Sequence, residues 1–379
     1  MAATQRIRCY AKAIAEKEAC QVVVVNRLED PQNPLGNTES FGTIGNYSFK
    51  YIGGSTTIFK NRIKARFVRL LDVLRLLLYL GRKLRKDDRV LFYSYNETLL
   101  YLTSLITHLK DAKIYYELCE HPSIQCSKCP AIPGEDIKWM QKKLSACDGI
   151  IVISSSLETL VNKAFNGKMS VLKVPVLFET ISEVKKISEI NDGIPYVMHT
   201  GSLTQKKDGI IHSLTAFGMA ISKIGFNIEY ILTGILDSSP EKTEIMQVIE
   251  KYGIQDKVKF VGYLSNENML RYQQNAYMTI INKEDNLQNR YCFATKSCEY
   301  LNAECLLVTT NIGEVCNYLT NEKDCILFEP GNIEDLSDII INVFTNKKRR
   351  DVIAKAGREF ALKNFYCLNY SSSINKFMR

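Results

Sequence analysis

Tyr196-Val-Met-His-Thr-Gly201-Ser202-Leu203-Thr-Gln-Lys206-Lys207-Asp208-Gly209 is followed directly by a helical pattern over Gly209–Ser222. A short strand that ends in glycine lets the chain turn sharply and lets a phosphate approach the backbone. A lysine six residues later, just before a helix start, is placed to neutralise that phosphate beside the helix dipole. A plain strand–turn–helix with a solvated lysine has the same appearance. The stretch therefore specifies a βα unit and leaves its ligand open.

Outward from this unit the same alternation repeats. Downstream, strands are expected at Ile228–Thr233, Val258–Val261, Met278–Ile281, Leu306–Thr309 and near Ile326. Helices are expected between them, at Glu241–Tyr252, Glu267–Asn275, Lys296–Leu301 and, last, Ile333–Thr345. Upstream, strands are expected at Gln21–Val25, Arg89–Tyr93, Ala112–Glu117 and Gly149–Ile153, interleaved with helices at Ile7–Glu16, Asn61–Lys86, Leu99–Leu109, Ile137–Ala146 and Ser156–Lys163. Short β-branched runs alternating with amphipathic helices imply parallel sheets covered on both faces. The pattern breaks at Phe178–Gly193, a polar stretch rich in Glu, Ser and Lys. The expectation is two doubly wound α/β domains, 1–185 and 186–355, with a helical tail at 356–379 packing back toward the first. Ligands in such sheets sit at the carboxyl ends of the strands, and two such edges facing each other make a cleft. The first domain begins almost directly in a helix. A first strand is therefore expected to be missing through a start codon placed too late, since its loss from the fold would expose two sheet edges.

The chain has 379 residues, 46% apolar and 24% charged, with no internal repeat or low-complexity tract. That excludes fibrous and disordered classes and is ample for two cores. Twelve cysteines are scattered through the α/β pattern without a signal peptide ahead of them, which reads as a reducing cytosol. Cys126 and Cys129 form a lone C-x-x-C near Cys119, and His121 is the one close candidate for a fourth zinc ligand. The plainer reading is a thiol-rich surface loop, and no metal is expected.

Charge is distributed unevenly. Between Lys60 and Lys86 stand ten basic residues against one acid, Asp72, a local balance of +9 in a chain of +8. Phe67, Leu70, Leu71, Leu74, Leu77 and Leu78 recur there at helical spacing, in a run too short to span a bilayer. A core-packed helix with a solvated basic face accounts for some of those leucines. The charge excess points to reversible attachment to an anionic membrane surface, with Arg82, Lys83, Arg85 and Lys86 as contacts.

A second constellation is Tyr291-Cys-Phe293-Ala294-Thr295-Lys296-Ser-Cys-Glu299-Tyr300, lying between two strands. Glu299 sits one turn into its helix, three residues after Lys296 and on the same face. A carboxylate there can accept both ribose hydroxyls, while Lys296 and the preceding amides face phosphate. A surface Lys–Glu pair explains the two side chains alone but not their place at a strand's carboxyl end.

Together these constellations resemble the family 4 (group 1) glycosyltransferases of the GT-B fold, especially those assembling bacterial surface polysaccharides. The resemblance runs through ordered landmarks: Asp148–Leu157, Val174-Pro175-Val176, Gly201–Gly209, Val258–Tyr263, Phe293–Tyr300, Thr310–Glu314 and Ile326–Gly331. It implies that Gly201, Ser202 and Lys207 hold donor phosphates and that Glu299 holds the ribose. It further implies that Phe293, Ala294 and Thr295 offer backbone amides to the diphosphate, with Lys296 beside them. The family commonly has two glutamates separated by seven residues, the first touching the donor sugar; here Tyr291 stands in that place, with Asn289, Arg290 or Glu284 as substitutes. In the N-terminal half, family members often place a catalytic polar residue where Glu120 and His121 follow Tyr115-Tyr116-Glu117. Arg6 and Glu117 are acceptor-side candidates.

The expected reaction is transfer of a hexose from a UDP- or GDP-sugar to a glycan or lipid-linked acceptor, with retention implied by the family. No cofactor is expected beyond that co-substrate, and no nucleic-acid partner. The chain has no D-x-D motif, so charge on the leaving diphosphate falls to lysines, amides and helix dipoles. The rivals are a sugar-nucleotide epimerase or hydrolase on the same architecture, and a non-catalytic nucleotide-sugar or membrane-binding protein. The expected place is the cytoplasm, peripheral on the inner face of the cytoplasmic membrane.

Overall fold

A computed structural model of the chain describes residues 2–27, 37–125, 129, 131–185 and 190–379. The chain forms two compact units, one of Met1–Glu179 with Cys367–Arg379, the other of Thr180–Tyr366.

The first unit runs α1 (Ala2–Ala15), β1 (Gln21–Val24), β2 (Phe41–Ile44), β3 (Tyr47–Tyr51), α2 (Arg62–Lys83), β4 (Arg89–Phe92), α3 (Glu97–Leu109) and β5 (Lys113–Leu118). It continues through α4 (Pro122–Gln125), α5 (Glu135–Lys143), β6 (Gly149–Val152), α6 (Ser155–Phe165) and β7 (Val171–Lys173). Its described strands fall into two sheets rather than one. The order β4-β5-β6-β7 is fully parallel. The other sheet, β1-β3-β2, is mixed, because β2 and β3 form an antiparallel hairpin across Gly45-Asn46. Sequence periodicity does not anticipate this hairpin. Ile114 to Leu118 of β5 are all buried, as a central parallel strand requires.

The second unit runs β8 (Tyr196–His199), α7 (Gln205–Asp208), α8 (Ile210–Ile221), β9 (Glu229–Thr233), α9 (Lys242–Lys251), β10 (Val258–Gly262), α10 (Asn266–Asn275) and β11 (Met278–Ile281). It continues through α11 (Leu287–Tyr291), α12 (Thr295–Asn302), β12 (Leu307–Thr310), β13 (Ile326–Phe328), α13 (Ile333–Thr345) and α14 (Lys347–Asn364). All six of its described strands are parallel in the order β10-β9-β8-β11-β12-β13. One face of the sheet buries Val197, Tyr230, Leu232, Ile280 and Val308 with the apolar sides of α8, α9 and α13. Tyr196, Met198 and Ile231 point the other way, onto Ala276 and Cys305. Strand order reverses between β8 and β11, and that is where a doubly wound sheet opens a ligand crevice.

Helix α14 runs unbroken to Asn364 in the second unit, so the part of the expected 356–379 tail that lies in the first unit is 367–379. It ends in α15 (Ser371–Phe377). Phe377 packs on Tyr115 with ring centroids 5.4 Å apart, and Asn375 donates to the Ala13 carbonyl at 3.2 Å. A Cβ on Gly149 would stand 2.8 Å from the Phe377 ring, so the tail sits where β6 carries no side chain.

Candidate functional site

The crevice residues of the second unit converge on the loop after β8. Gly201 has φ +108, and a Cβ there would meet the Lys296 amine at 2.5 Å, so the amine lies directly over the glycine backbone. The Gly201 amide donates to Thr233 Oγ1 at 3.0 Å. Tyr300 accepts from the Thr200 amide at 3.1 Å and shares a hydroxyl–hydroxyl bond of 2.6 Å with its side chain. Two segments a hundred residues apart are thereby fastened together. Gly209, at φ +59, sits where a Cβ would be 2.0 Å from the Asn282 carbonyl oxygen, bringing the start of α8 against the end of β11.

Asp208 is the centre of the polar cluster. It is buried, its Oδ1 is 2.9 Å from Lys296 Nζ, and its other oxygen accepts from the Ser202 hydroxyl. Burial alone would raise the Asp208 carboxyl, but Lys296, His199 and Ser202 outweigh it and hold it below the usual range. Burial pulls the Lys296 amine down, Asp208 opposes this, and Lys283 and Lys207 add to the lowering. Three lysines therefore share one neighbourhood at the switch point. His199, buried beneath them with Nε2 3.1 Å from the Ser202 carbonyl, is pushed down to about 4 by burial and by Lys296. It is neutral at pH 7.

Of the expected donor residues, Gly201, Ser202, Lys296 and Glu299 lie around this cluster. Burial raises the Glu299 carboxyl, with Lys296 in opposition. Lys207 is exposed on α7, and its carbonyl accepts from Lys283 at 3.4 Å. Phe293 is buried against Tyr318 and Phe365. Ala294 and Thr295 are half-buried at the start of α12, where no side chain caps the helix. The helix-dipole expectation for α8 needs correcting. The Gln205 side-chain oxygen accepts from the Ile211 and His212 amides at 2.8 and 3.3 Å, so those donors are already used. Tyr291 is half-buried at the end of α11. Of its suggested substitutes, Arg290 pairs with Asp285 on the surface. Asn289 is fully buried, accepting from Lys283 at 3.1 Å and donating to the Glu284 carbonyl at 2.9 Å. Glu284 accepts from Gln205 at 2.9 Å.

Asp208, His199, Lys283 and Tyr300 were not singled out from sequence. Lys283, two residues past β11, is the one with a readable signal, since the carboxyl end of a switch-point strand is a ligand position.

In the first unit, Arg6 and Glu117 form a buried ion pair of 2.5 Å. Arg6 also donates to the Pro175 and Val174 carbonyls and to Tyr10, and Tyr10 donates to Glu117 at 2.8 Å. Both acceptor-side candidates are thus committed to joining α1, β5 and the segment after β7. His121 is buried, with Nδ1 2.8 Å from Ser123 Oγ and Nε2 3.2 Å from Asp136. Burial lowers its pKa against the pull of Asp136. Glu120, beside it, is half-buried. Cys119 bonds to Tyr95 at 3.1 Å, and Cys126 of the C-x-x-C lies outside the described residues. Arg82, Lys83, Arg85 and Lys86 are all exposed.

Residues 180–360 match the family model described as glycosyl transferases group 1. No curated protein matches. Among solved structures, sucrose-phosphate synthase from Thermosynechococcus elongatus is similar with a TM-score of 0.72 at 16% identity, over 98% of this chain and 91% of that one. HepE from Anabaena, in complex with UDP, is similar at 0.63 and 15%, over 84% and 83%. A glycosyltransferase from Rickettsia africae is similar at 0.63 and 17%, over 85% of each chain. These likenesses establish the GT-B fold, with its two Rossmann-like domains.

Proposed function

From the premise that residues 180–360 form a group 1 glycosyltransferase domain, we propose that the chain transfers a hexose from a UDP- or GDP-sugar to a glycan or lipid-linked acceptor, with retention and without a metal. The observation that carries this reading is the Lys296 amine over Gly201, held by Asp208 and accompanied by Lys283 and Lys207. Such a cluster is suited to a diphosphate, which brings its own negative charge to lysines already crowded together. HepE, on the same fold, has been seen with UDP and with UDP-glucose. Glu299 accepts from the ribose hydroxyls, and the Ala294–Thr295 amides at the start of α12 meet a phosphate oxygen.

In the step itself the bond from the anomeric carbon to the diphosphate oxygen breaks as the acceptor oxygen bonds to the same face. The acceptor proton passes to the departing phosphate. Lys207, Lys283 and Lys296 meet the charge on the leaving group, in place of the metal clamp of other transferases. His121 and Glu120 act on turnover rather than on nucleotide binding. The product belongs to surface polysaccharide, and the enzyme works from the cytoplasm at an anionic membrane face contacted by Arg82, Lys83, Arg85 and Lys86. A thermal-shift screen of nucleotide sugars, followed by product analysis with saccharide acceptors in a chelator, tests the reading. Stabilisation by UDP- or GDP-sugars and acceptor-dependent product support it; stabilisation by none of them removes it.

A further inference from the structure

Helix α2 buries one face and leaves the opposite one bare. Asp72, Leu76 and Leu80 are buried. Ile63, Phe67, Leu70, Leu74 and Leu78 are exposed at 82%, 61%, 58%, 48% and 58%. At about 100° per residue these five fall within an arc of about 80°, facing away from the buried side. Basic residues stand on both flanks of that arc. Arg66 lies on one side and Lys64, Arg75 and Arg82 on the other, with Arg62 and Arg69 farther round the helix, all exposed. The acid of the segment, Asp72, points inward to Arg27 at 3.1 Å and to Arg75 at 2.8 Å, leaving the outer face of the helix without a negative charge. Helix α3, packed against α2, carries a second exposed series at spacing of four, Tyr101, Leu105 and Leu109. Among the described residues no helix is long and apolar enough to cross a membrane.

An exposed apolar stripe this long is costly in water unless something covers it. Nucleic acid would satisfy the cations and leave the stripe facing phosphate. A bilayer interface satisfies both, with the stripe among the acyl chains and the flanking lysines and arginines reaching up to anionic headgroups. We infer that α2 lies in the plane of an anionic leaflet, with Ile63, Phe67, Leu70, Leu74 and Leu78 inserted to a depth of about 5–10 Å. The inference rests on the proposed membrane contact and goes beyond it, because electrostatic contact alone needs no insertion.

Two variants of the full chain separate the two claims. The first replaces Phe67, Leu70 and Leu74 by serine, leaving charge unchanged; these side chains are exposed, so circular dichroism and thermal unfolding should match wild type. Its affinity for phosphatidylglycerol–phosphatidylcholine vesicles should fall at least about tenfold. The second is Phe67→Trp, read against the native Trp139 as background. Its added emission should shift to the blue on those vesicles and be quenched by lipids brominated in the acyl chain. Wild-type binding that persists in the serine variant, with no acyl-chain quenching, would overturn insertion while leaving headgroup contact in place. Failure of wild type to bind anionic vesicles at low salt, or tighter binding to RNA than to vesicles, would remove the membrane reading altogether.

Discussion

Lys296, in the first turn of α12, reaches across 88 residues of sequence to place its amine 2.9 Å from Asp208 Oδ1, directly above Gly201. The pair orients a cation at the switch point of the sheet before any anion arrives. Lys296→Ala should weaken a nucleoside diphosphate by roughly 1.5–3 kcal/mol, the worth of a charge-assisted bond, and weaken a nucleoside monophosphate less. Asp208→Asn frees the amine from its counter-charge and Lys296→Ala leaves a buried carboxylate without its cation, so both should lower stability. Isothermal titration and chemical unfolding read the two effects separately. Affinities of Lys296→Ala for both nucleotides that are unchanged from wild type would detach this lysine from phosphate.

Glu299 is assigned to the ribose and not to the sugar. Glu299→Ala should therefore weaken free nucleoside diphosphate by about 1.5–3 kcal/mol. The same substitution should make little difference to a 2′,3′-dideoxy analogue, which has already lost the hydroxyls. A variant that discriminates these ligands as wild type does would place the ribose elsewhere.

His199 gives the second unit an acid-sensitive core. Its folded pKa of about 4 lies below the unfolded value of 6.5, so the unfolded chain takes up the proton first. This contribution is fully present above pH 6.5 and is lost as pH falls toward 4, amounting to about 3 kcal/mol at the acid end. Asp208, with a depressed carboxyl, adds to the loss in the same direction at lower pH. Denaturant midpoints at pH 7 and pH 5 should differ for wild type and converge in His199→Gln. An undiminished pH dependence in that variant would contradict the assignment.

The Arg6–Glu117 pair is expected to matter for folding. Removing one partner leaves a buried charge, so Arg6→Met or Glu117→Gln should cost about 3–5 kcal/mol, and the double variant less than the sum. Additive losses by urea unfolding would show that the two side chains act independently.

The central strands of the second unit were legible because they are short, continuously buried runs between clear turn signals: Tyr196–His199, Glu229–Thr233, Met278–Ile281 and Leu307–Thr310 are buried throughout. The β2–β3 hairpin was not, since Phe41–Ile44 is exposed on alternate residues and offers neither a buried run nor a helical period. Local periodicity also could not say which leucines of α2 face the core, because that depends on what packs beneath Asp72, Leu76 and Leu80. At the site, Gly201 and Lys296 were readable from position within their βα units. The roles of Asp208 and Tyr300 were hidden, because each is defined by a partner 88 or 100 residues away.

Transfer is tested most directly by the nucleoside diphosphate released from a UDP- or GDP-sugar, in a metal chelator, with and without saccharide acceptors. Release should require an acceptor, proceed without metal, and fall sharply in Lys296→Ala. Release that is independent of any acceptor, or that requires magnesium or manganese, would contradict a metal-free transferase built on the Asp208–Lys296 pair.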